Sequence, residues 1–108
     1  MRLTSEIWVS AYLMRLRTED IPAFIVKKGD VTAGAVLIKL NTLDGRATCY
    51  QRSFDLMSGE RAWVALSSGP ETEVDASINK QRNFDPDLWV IEVESRQGRH
   101  MLDEPGLE

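Results

Sequence analysis

The sequence predicts an α+β fold in which two helices pack on one face of a single, largely antiparallel sheet of about five to six strands. Three observations support this prediction. Two segments, one near the N-terminus and one after residue 70, have apolar residues at helical spacing. The other segments are rich in β-branched and aromatic residues, and turns containing Asp and Gly join them. Such turns are too short for a crossover connection, so neighbouring strands should run antiparallel.

The length of 108 residues accommodates one hydrophobic core. We therefore expect a single domain over residues 1–106. The terminal dipeptide Leu107-Glu108 is typical of an expression-tag junction, and we assign no function to it.

The first predicted element is a helix over residues 4–17. Its apolar residues form two adjacent stripes at helical spacing, Ile7-Ala11-Met14 and Val9-Leu13-Leu16. A strand with alternating apolar residues is the alternative, but the length of the segment and the cap-like Thr4-Ser5 favour the helix. The helix should end before Pro22, because a residue that precedes proline is disfavoured in the α region.

Strand-forming residues begin at Ala23 and recur in residues 35–40. Asp44-Gly45 then predicts a two-residue hairpin turn. A turn of that length would pair Leu40 with Cys49, and Cys49 would share a buried face with Leu40. A further strand is predicted at residues 62–66, after a reversal at Ser58-Gly59.

The second helix should open at Ser68-Gly69-Pro70, because proline is well tolerated in the first turn. Its apolar stripe is narrow, with only Val74 and Ile78, which indicates a helix on the sheet surface. Asp85-Pro86-Asp87 should end it. A strand over Leu88–Glu94 follows, and we expect a short return strand through residues 100–102.

Composition and charge exclude several classes of function. Hydrophobic residues make up 43% of the chain and charged residues 28%, which are ordinary globular values. A net charge of −4 argues against a general binder of nucleic acid or anionic membranes. The longest apolar run, residues 62–66, is too short to span a bilayer. The single cysteine, Cys49, excludes an internal disulfide and fits a reducing cytoplasm.

The segment from Asp85 to Glu94 is the most distinctive in the chain, because four carboxylates surround Trp89. One interpretation is a divalent-metal-dependent phosphoesterase or nuclease-like enzyme that uses Asp87, Glu92 and Glu94. Strand alternation opposes it: Glu92 and Glu94 share one face, whereas Asp87 should point to the other. A solvated sheet face after a helix-ending Asp-Pro-Asp is the favoured interpretation.

Cys49 and His100 would form a nucleophilic pair only if the fold brought them together, and the sequence cannot show whether it does. His100 is the only histidine, and one histidine with one cysteine cannot complete a zinc site without carboxylates. The predicted register buries Cys49, which favours a structural role over a nucleophilic one.

We therefore predict a non-enzymatic protein-interaction or self-associating module without a cofactor, a metal site or catalytic residues. Its expected partner is a second copy (a homodimer) or an unknown protein, and neither nucleic acid nor a membrane. The charge is unevenly distributed along the chain. Residues 1–52 contain eight Lys or Arg and five Asp or Glu, whereas residues 53–108 contain five Lys or Arg and twelve Asp or Glu. This difference in charge supports association. The candidate contact surface comprises Trp89, Asp85, Asp87, Glu92, Glu94, Arg61 and His100.

Six short segments carry a resemblance to a known family. They are Glu6–Val9, Ala33–Lys39, Glu60–Trp63, Asp85–Glu92, Gly98–His100 and Leu102–Pro105. Together they resemble the domain-of-unknown-function family 1491, a group of small proteins found mainly in alphaproteobacteria. The likeness runs nearly end to end. It implies a free-standing cytoplasmic bacterial domain and supplies no activity, cofactor or catalytic residue.

Overall fold

The computed structural model of the protein describes residues 3–106, so the proposed tag remnant Leu107-Glu108 lies outside the described residues. Two helices and five strands form in the order α1 (Ser5–Thr18), β1 (Ala23–Lys27), β2 (Val36–Asn41), β3 (Arg46–Phe54), β4 (Arg61–Pro70), α2 (Glu71–Phe84) and β5 (Trp89–Glu94). Within residues 3–106, no helix is both long and apolar enough to cross a membrane.

The five strands form one sheet in the order β1-β5-β2-β3-β4. Strand β5 enters between β1 and β2, antiparallel to β1 and parallel to β2, while the β2–β3 and β3–β4 pairs are antiparallel. Helix α2 makes the parallel pair possible, because it carries the chain from the edge strand β4 back to the centre of the sheet. The predicted α+β class is confirmed.

The two helices pack on opposite faces of the sheet, so the prediction of a single covered face was wrong. The α1 core joins Trp8, Val9, Tyr12 and Leu16 to Ile38, Leu40, Trp89, Ile91 and Val93. The α2 core joins Val74 and Ile78 to Leu37, Ala47, Cys49, Leu88 and Val90. Strands β2 and β5 are buried on both faces, and their nearly continuous apolar sequences are typical of strands between two layers.

Helix α1 confirms the first predicted helix, and the Thr4 side chain caps it by accepting the N–H of Ile7 at 3.3 Å. Only one of the two predicted stripes faces the core. Val9 and Leu16 are buried, whereas Ile7 and Met14 are exposed to solvent.

The β2–β3 hairpin differs from prediction by one residue. Lys39, not Leu40, lies opposite Cys49, because Leu43 and Gly45 both adopt positive φ in a three-residue turn that lies between Thr42 and Arg46. A shift of one residue moves every β3 side chain to the other face. Cys49 is still buried as predicted, but in the α2 core.

The segment after β5 forms turns, so the predicted return strand at residues 100–102 is absent from this described part of the chain. Residues 100–105 cross α1 in an irregular conformation instead, and we call this segment the strap. The Tyr12 hydroxyl donates to the His100 carbonyl at 2.8 Å, and the Arg15 guanidinium donates to the Pro105 carbonyl at 2.8 Å. Met101 and Leu102 are buried in the α1 core.

The loop between β1 and β2 lies against the turn that precedes β5. The N–H of Asp30 donates to the Asp87 carbonyl at 2.9 Å, and the Trp89 indole N–H donates to the Asp30 carbonyl at 2.7 Å. This close approach requires glycine, because a Cβ on Gly29 would overlap the Asp87 carbonyl oxygen and lie 2.6 Å from Trp89 Cδ1.

Gly29→Ala is expected to lower the free energy of unfolding by roughly 2 kcal/mol, because backbone or Trp89 must shift to admit the methyl group. Urea denaturation at neutral pH measures the change. Ser10→Ala on the exposed surface of α1 is the control and should alter stability by less than about 0.5 kcal/mol. Equal stability of the Gly29→Ala variant and the wild type would contradict the close approach.

Protonation of His100 is expected to weaken the strap. Its Nδ1 accepts the Leu102 N–H at 2.9 Å, and burial lowers the pKa of His100 despite the opposing charge of Asp103. Because the folded-state pKa lies below the unfolded value of 6.5, this stabilisation is present above that value and is lost as pH falls through the lowered pKa.

His100→Asn keeps an acceptor for the residue 102 N–H but does not titrate. We expect the wild type to lose more unfolding free energy than His100→Asn between about pH 7.5 and about pH 5. Denaturation curves at both pH values measure the difference, and parallel losses in the two proteins would contradict it.

Candidate functional site

The structure disperses the acidic residues that the sequence places around Trp89. Asp85 and Asp87 lie in the turn after α2, where the Asp85 carboxylate accepts the Asp87 N–H at 3.0 Å. Glu92 and Glu94 lie on the α2 side of β5, the side of Val90. The Trp89 side chain is only 1% exposed, so it contributes to the core and not to a surface.

Glu92 belongs to a partly buried charge cluster centred on Lys39. The Lys39 Nζ lies 2.7 Å from Glu71 Oε2, 2.7 Å from Asp75 Oδ1 and 3.3 Å from Glu92 Oε1. Asn41 donates its amide hydrogens to Glu71 at 3.2 Å and to Glu92 at 3.3 Å. The cluster therefore ties α2 to strands β2 and β5.

An ammonium group already occupies the position where these carboxylates converge. Burial alone would lower the pKa of Lys39, but hydrogen bonds to Asp75 and Glu71 and the charge of Glu92 raise it above its ordinary value. Within residues 3–106, no three His, Cys, Asp or Glu side chains converge as ligands of a metal ion. The geometry gives the metal-dependent interpretation of Asp87, Glu92 and Glu94 no support, and the Lys39 cluster is structural.

Cys49 and His100 lie in different layers of the fold. Burial raises the pKa of the Cys49 thiol to about 12, so the thiolate is scarce at neutral pH. His100 packs edge-on against Tyr50 on the α1 side, with ring centroids 4.8 Å apart. The two side chains therefore cannot act as a nucleophile and base.

A cleft opens at the end of the sheet where β2 begins. Within residues 3–106, the β2–β3 ladder ends at the pair Ile38–Tyr50, whereas the β3–β4 ladder continues to Phe54–Arg61. The β2-facing edge of residues 51–54 therefore lies outside the β2–β3 ladder. A cavity of about 950 Å³ lies beside this edge, and we call it the cleft.

The cleft is lined from both sides of the sheet. Leu37, Gln81 and Leu88 line it from the α2 side, and Trp8, Arg52 and Trp63 line it from the α1 side. The Arg52 guanidinium lies over both indole rings, 5.3 Å from the Trp8 centroid and 4.9 Å from that of Trp63. The α1 side of the cleft is therefore aromatic and cationic.

Trp63 carries an unsatisfied donor in this region. Its indole Nε1 is buried and has no hydrogen-bond partner among residues 3–106. A buried donor without a partner costs on the order of 1–3 kcal/mol. Trp63 and Arg61 line the cleft and also a neighbouring cavity of about 400 Å³, which His100 borders.

The part of the β3–β4 hairpin that extends beyond β2, residues 51–64, forms a two-stranded arm. The Asp55 carboxylate accepts the Met57 N–H at 2.9 Å, and the Asp55 N–H donates to the Glu60 carbonyl at 2.8 Å, so the turn at the tip is ordered by hydrogen bonds. The apolar tip residues Phe54, Leu56 and Met57 are 57%, 89% and 96% exposed. Exposure of this extent is the least expected feature of the surface.

Of the predicted contact residues, Arg61 and Asp85 border the cleft, and Arg61 and His100 border the smaller cavity. Trp8, Arg52 and the tip of the arm were not among the contact residues predicted from the sequence. Leu56-Met57, an apolar pair directly before the predicted reversal at Ser58-Gly59, was the available signal for the tip. Packing of Arg52 on two tryptophans far apart in the chain leaves no local sequence signal.

These features define a small α+β protein with one helix on each face of a mixed sheet and with a cleft between two diverging strands. The chain belongs to the family described as "Protein of unknown function (DUF1491)", which matches residues 3–103. The resemblance noted from the sequence is confirmed.

Three solved structures extend the comparison. A crystal structure of a DUF1491 family protein from Caulobacter crescentus CB15 is 37% identical, with 97% of each chain covered and a TM-score of 0.83. An NMR structure of a DUF1491 family protein from the same organism is 37% identical, with 97% of this chain and 96% of that chain covered and a TM-score of 0.82. The solution structure of protein Atu0922 from A. tumefaciens is 32% identical, with 88% of this chain and 87% of that chain covered and a TM-score of 0.74. A comparison with curated proteins found no match.

Lys39→Met is expected to lower the unfolding free energy by roughly 2–4 kcal/mol, because it leaves three carboxylates without their cation. The loss should be smaller than for a fully buried pair, since the Glu71 and Asp75 side chains are 34% and 48% exposed. Chemical denaturation measures it.

Adding Glu92→Gln to the Lys39→Met variant should recover part of the lost stability, because it removes the least exposed of the three negative charges. Lys80→Met, on the exposed surface of α2, is the control and should have little effect. A Lys39→Met variant as stable as the control would contradict the structural role of the cluster.

Proposed function

We propose that the protein is a non-enzymatic interaction module that associates with a second copy of itself through the arm. The observation that carries this proposal is the exposure of Leu56 and Met57 at the tip, at 89% and 96%. Burying a leucine or methionine side chain is worth roughly 1.5–3 kcal/mol, so a partner that covers both gains a substantial driving force.

The construction of the arm supports the same proposal. An isolated two-stranded hairpin is marginally stable in water. Beyond Tyr50, within the described chain, β3 pairs only with β4. A partner that packs against this ribbon would supply the missing neighbour.

The opposite edge of the sheet is less suited to association. Strand β1 exposes Phe24, Ile25 and Val26, but a bulge interrupts it after Ile25. The Lys27 ammonium folds over its end and donates to the Leu88 carbonyl at 2.9 Å. Bulges and lysines are common means of preventing edge-to-edge pairing, which leaves the arm as the more open contact.

Arg61 and Asp85 of the predicted contact surface border the cleft beside the arm, and both fit this proposal. Trp89 and Glu92 act within the fold and have no part in it. The single cysteine is consistent with an association that takes place in a reducing cytoplasm.

Sedimentation equilibrium of the wild type should give a mass that rises with concentration toward twice that of one chain. The double variant Leu56→Ser/Met57→Ser should remain monomeric over the same range, because it removes the two most exposed apolar side chains of the tip without touching the core. Met14→Ser removes an exposed methionine from α1 and is the matched control, which should still associate.

A wild type that stays monomeric at every concentration would refute self-association. Dimerisation of the tip double variant with undiminished affinity would refute the arm as the contact, and pairing through the outer edge of β4 would then account for the dimer.

A further inference from the structure

We propose that the association is reciprocal, with the tip of each arm seated in the cleft of the other copy. This inference rests on the proposed function and specifies what the arm binds. In such an arrangement, one twofold axis relates two identical contacts, so the surface on each copy must be complementary to itself. The arm and the cleft meet this requirement in backbone geometry, shape and charge.

The backbone geometry favours an extended guest in the cleft. The β2-facing edge of residues 51–54 lies outside the β2–β3 ladder and borders the cleft. A strand edge of this kind is a template for an added strand, whose main chain supplies hydrogen bonds. The arm of a second copy is itself extended up to Phe54 and after Arg61, and it can lie along this edge.

The size and lining of the cleft match the tip. A volume of about 950 Å³ is at the upper end of the range of roughly 300–1,000 Å³ in which pockets enclose drug-sized groups. It has room for the side chains of Leu56 and Met57 together. Methionine sulfur packs well against aromatic rings, and Trp8 and Trp63 line the cleft.

The acids that flank the tip are opposite in charge to the two arginines of the cleft lining, which also includes Asp85. Asp55 and Glu60 flank the tip, while Arg52 and Arg61 line the cleft. Among residues 3–106, no salt bridge involves Asp55, Glu60 or Arg61, although each carries a full charge in an exposed or half-buried position. Docking each tip in the opposite cleft brings acids toward arginines twice per dimer.

Charge reversal on each side of the contact tests the reciprocity. Glu60→Arg alone and Arg61→Glu alone should each weaken self-association by at least about tenfold, because each reversal places like charges together in both contacts. An equimolar mixture of the two variants should dimerise with nearly wild-type affinity. In that heterodimer, one contact pairs the introduced arginine with the introduced glutamate in reversed polarity, and the other contact is native.

The matched control replaces the second variant by Arg96→Glu, which makes the same charge change in an exposed turn outside the cleft. Its mixture with Glu60→Arg should contain no heterodimer of restored affinity. Sedimentation velocity with one fluorescently labelled variant measures the heterodimer directly, and circular dichroism shows that each variant is folded.

The outcomes separate this inference from the proposed function. A wild type that never dimerises would overturn both. A wild type that dimerises through the tip, while the Glu60→Arg and Arg61→Glu mixture gains no affinity over either variant alone, would overturn the reciprocal docking and leave self-association intact. Recovery in the mixture, without recovery in the Arg96→Glu control, would establish that the tip of one copy faces the cleft of the other.

Discussion

Burial of β5 on both faces determines how both helices and the neighbouring strands are arranged. Trp89, Ile91 and Val93 fill the α1 core, and Leu88 and Val90, which alternate with them, fill the α2 core. Because β5 lies between β1 and β2, it also provides the hydrogen-bonding partners for both neighbours. Strand β5 therefore contacts both helical layers and pairs with two other strands. The loop around Asp30 must also approach β5 closely enough to require glycine at position 29.

The burial of β5 explains why residues 85–94, the most distinctive segment of the sequence, do not form the most exposed surface of the protein. Trp89 is needed in the core, Glu92 is needed by Lys39, and Asp85 ends a helix. The surface that is free for a contact lies elsewhere in the sheet, where β3 and β4 extend beyond the end of their pairing with β2. An apolar tip and charges of both signs outside any salt bridge of the described chain are concentrated there, and it is these features that support an interaction function.

Local patterns in the sequence were sufficient to predict where helix α1 begins and where helix α2 ends. Thr4 caps helix α1 because its side-chain oxygen reaches an N–H three residues later. Asp85-Pro86-Asp87 ends α2 because the residue before a proline is disfavoured in the α region. The prediction of the β2–β3 turn was wrong although its contacts are also local, because an Asp-Gly pair occurs in turns of more than one length. The two-residue interpretation of Asp44-Gly45 placed Cys49 on the wrong face, because side chains of Asn41 and Asp44 stabilise a longer turn through the N–H groups of Leu43 and Arg46. The apolar pair Val74 and Ile78 indicates that α2 packs on the sheet, but it does not indicate which face of the sheet α2 covers.

Local spacing, polarity and short motifs in the sequence are enough to predict the class of fold, the existence of both helices and the family. Tertiary structure alone decided which stripe of α1 faces inward, where Lys39 finds three carboxylates, and where β2 and β3 separate to leave a cleft beside an exposed arm. The physical reason is that these features depend on the strand order, which brings β5 beside β2 across an intervening helix. Strand order is set by the total burial of both layers, and no short window of sequence contains that sum.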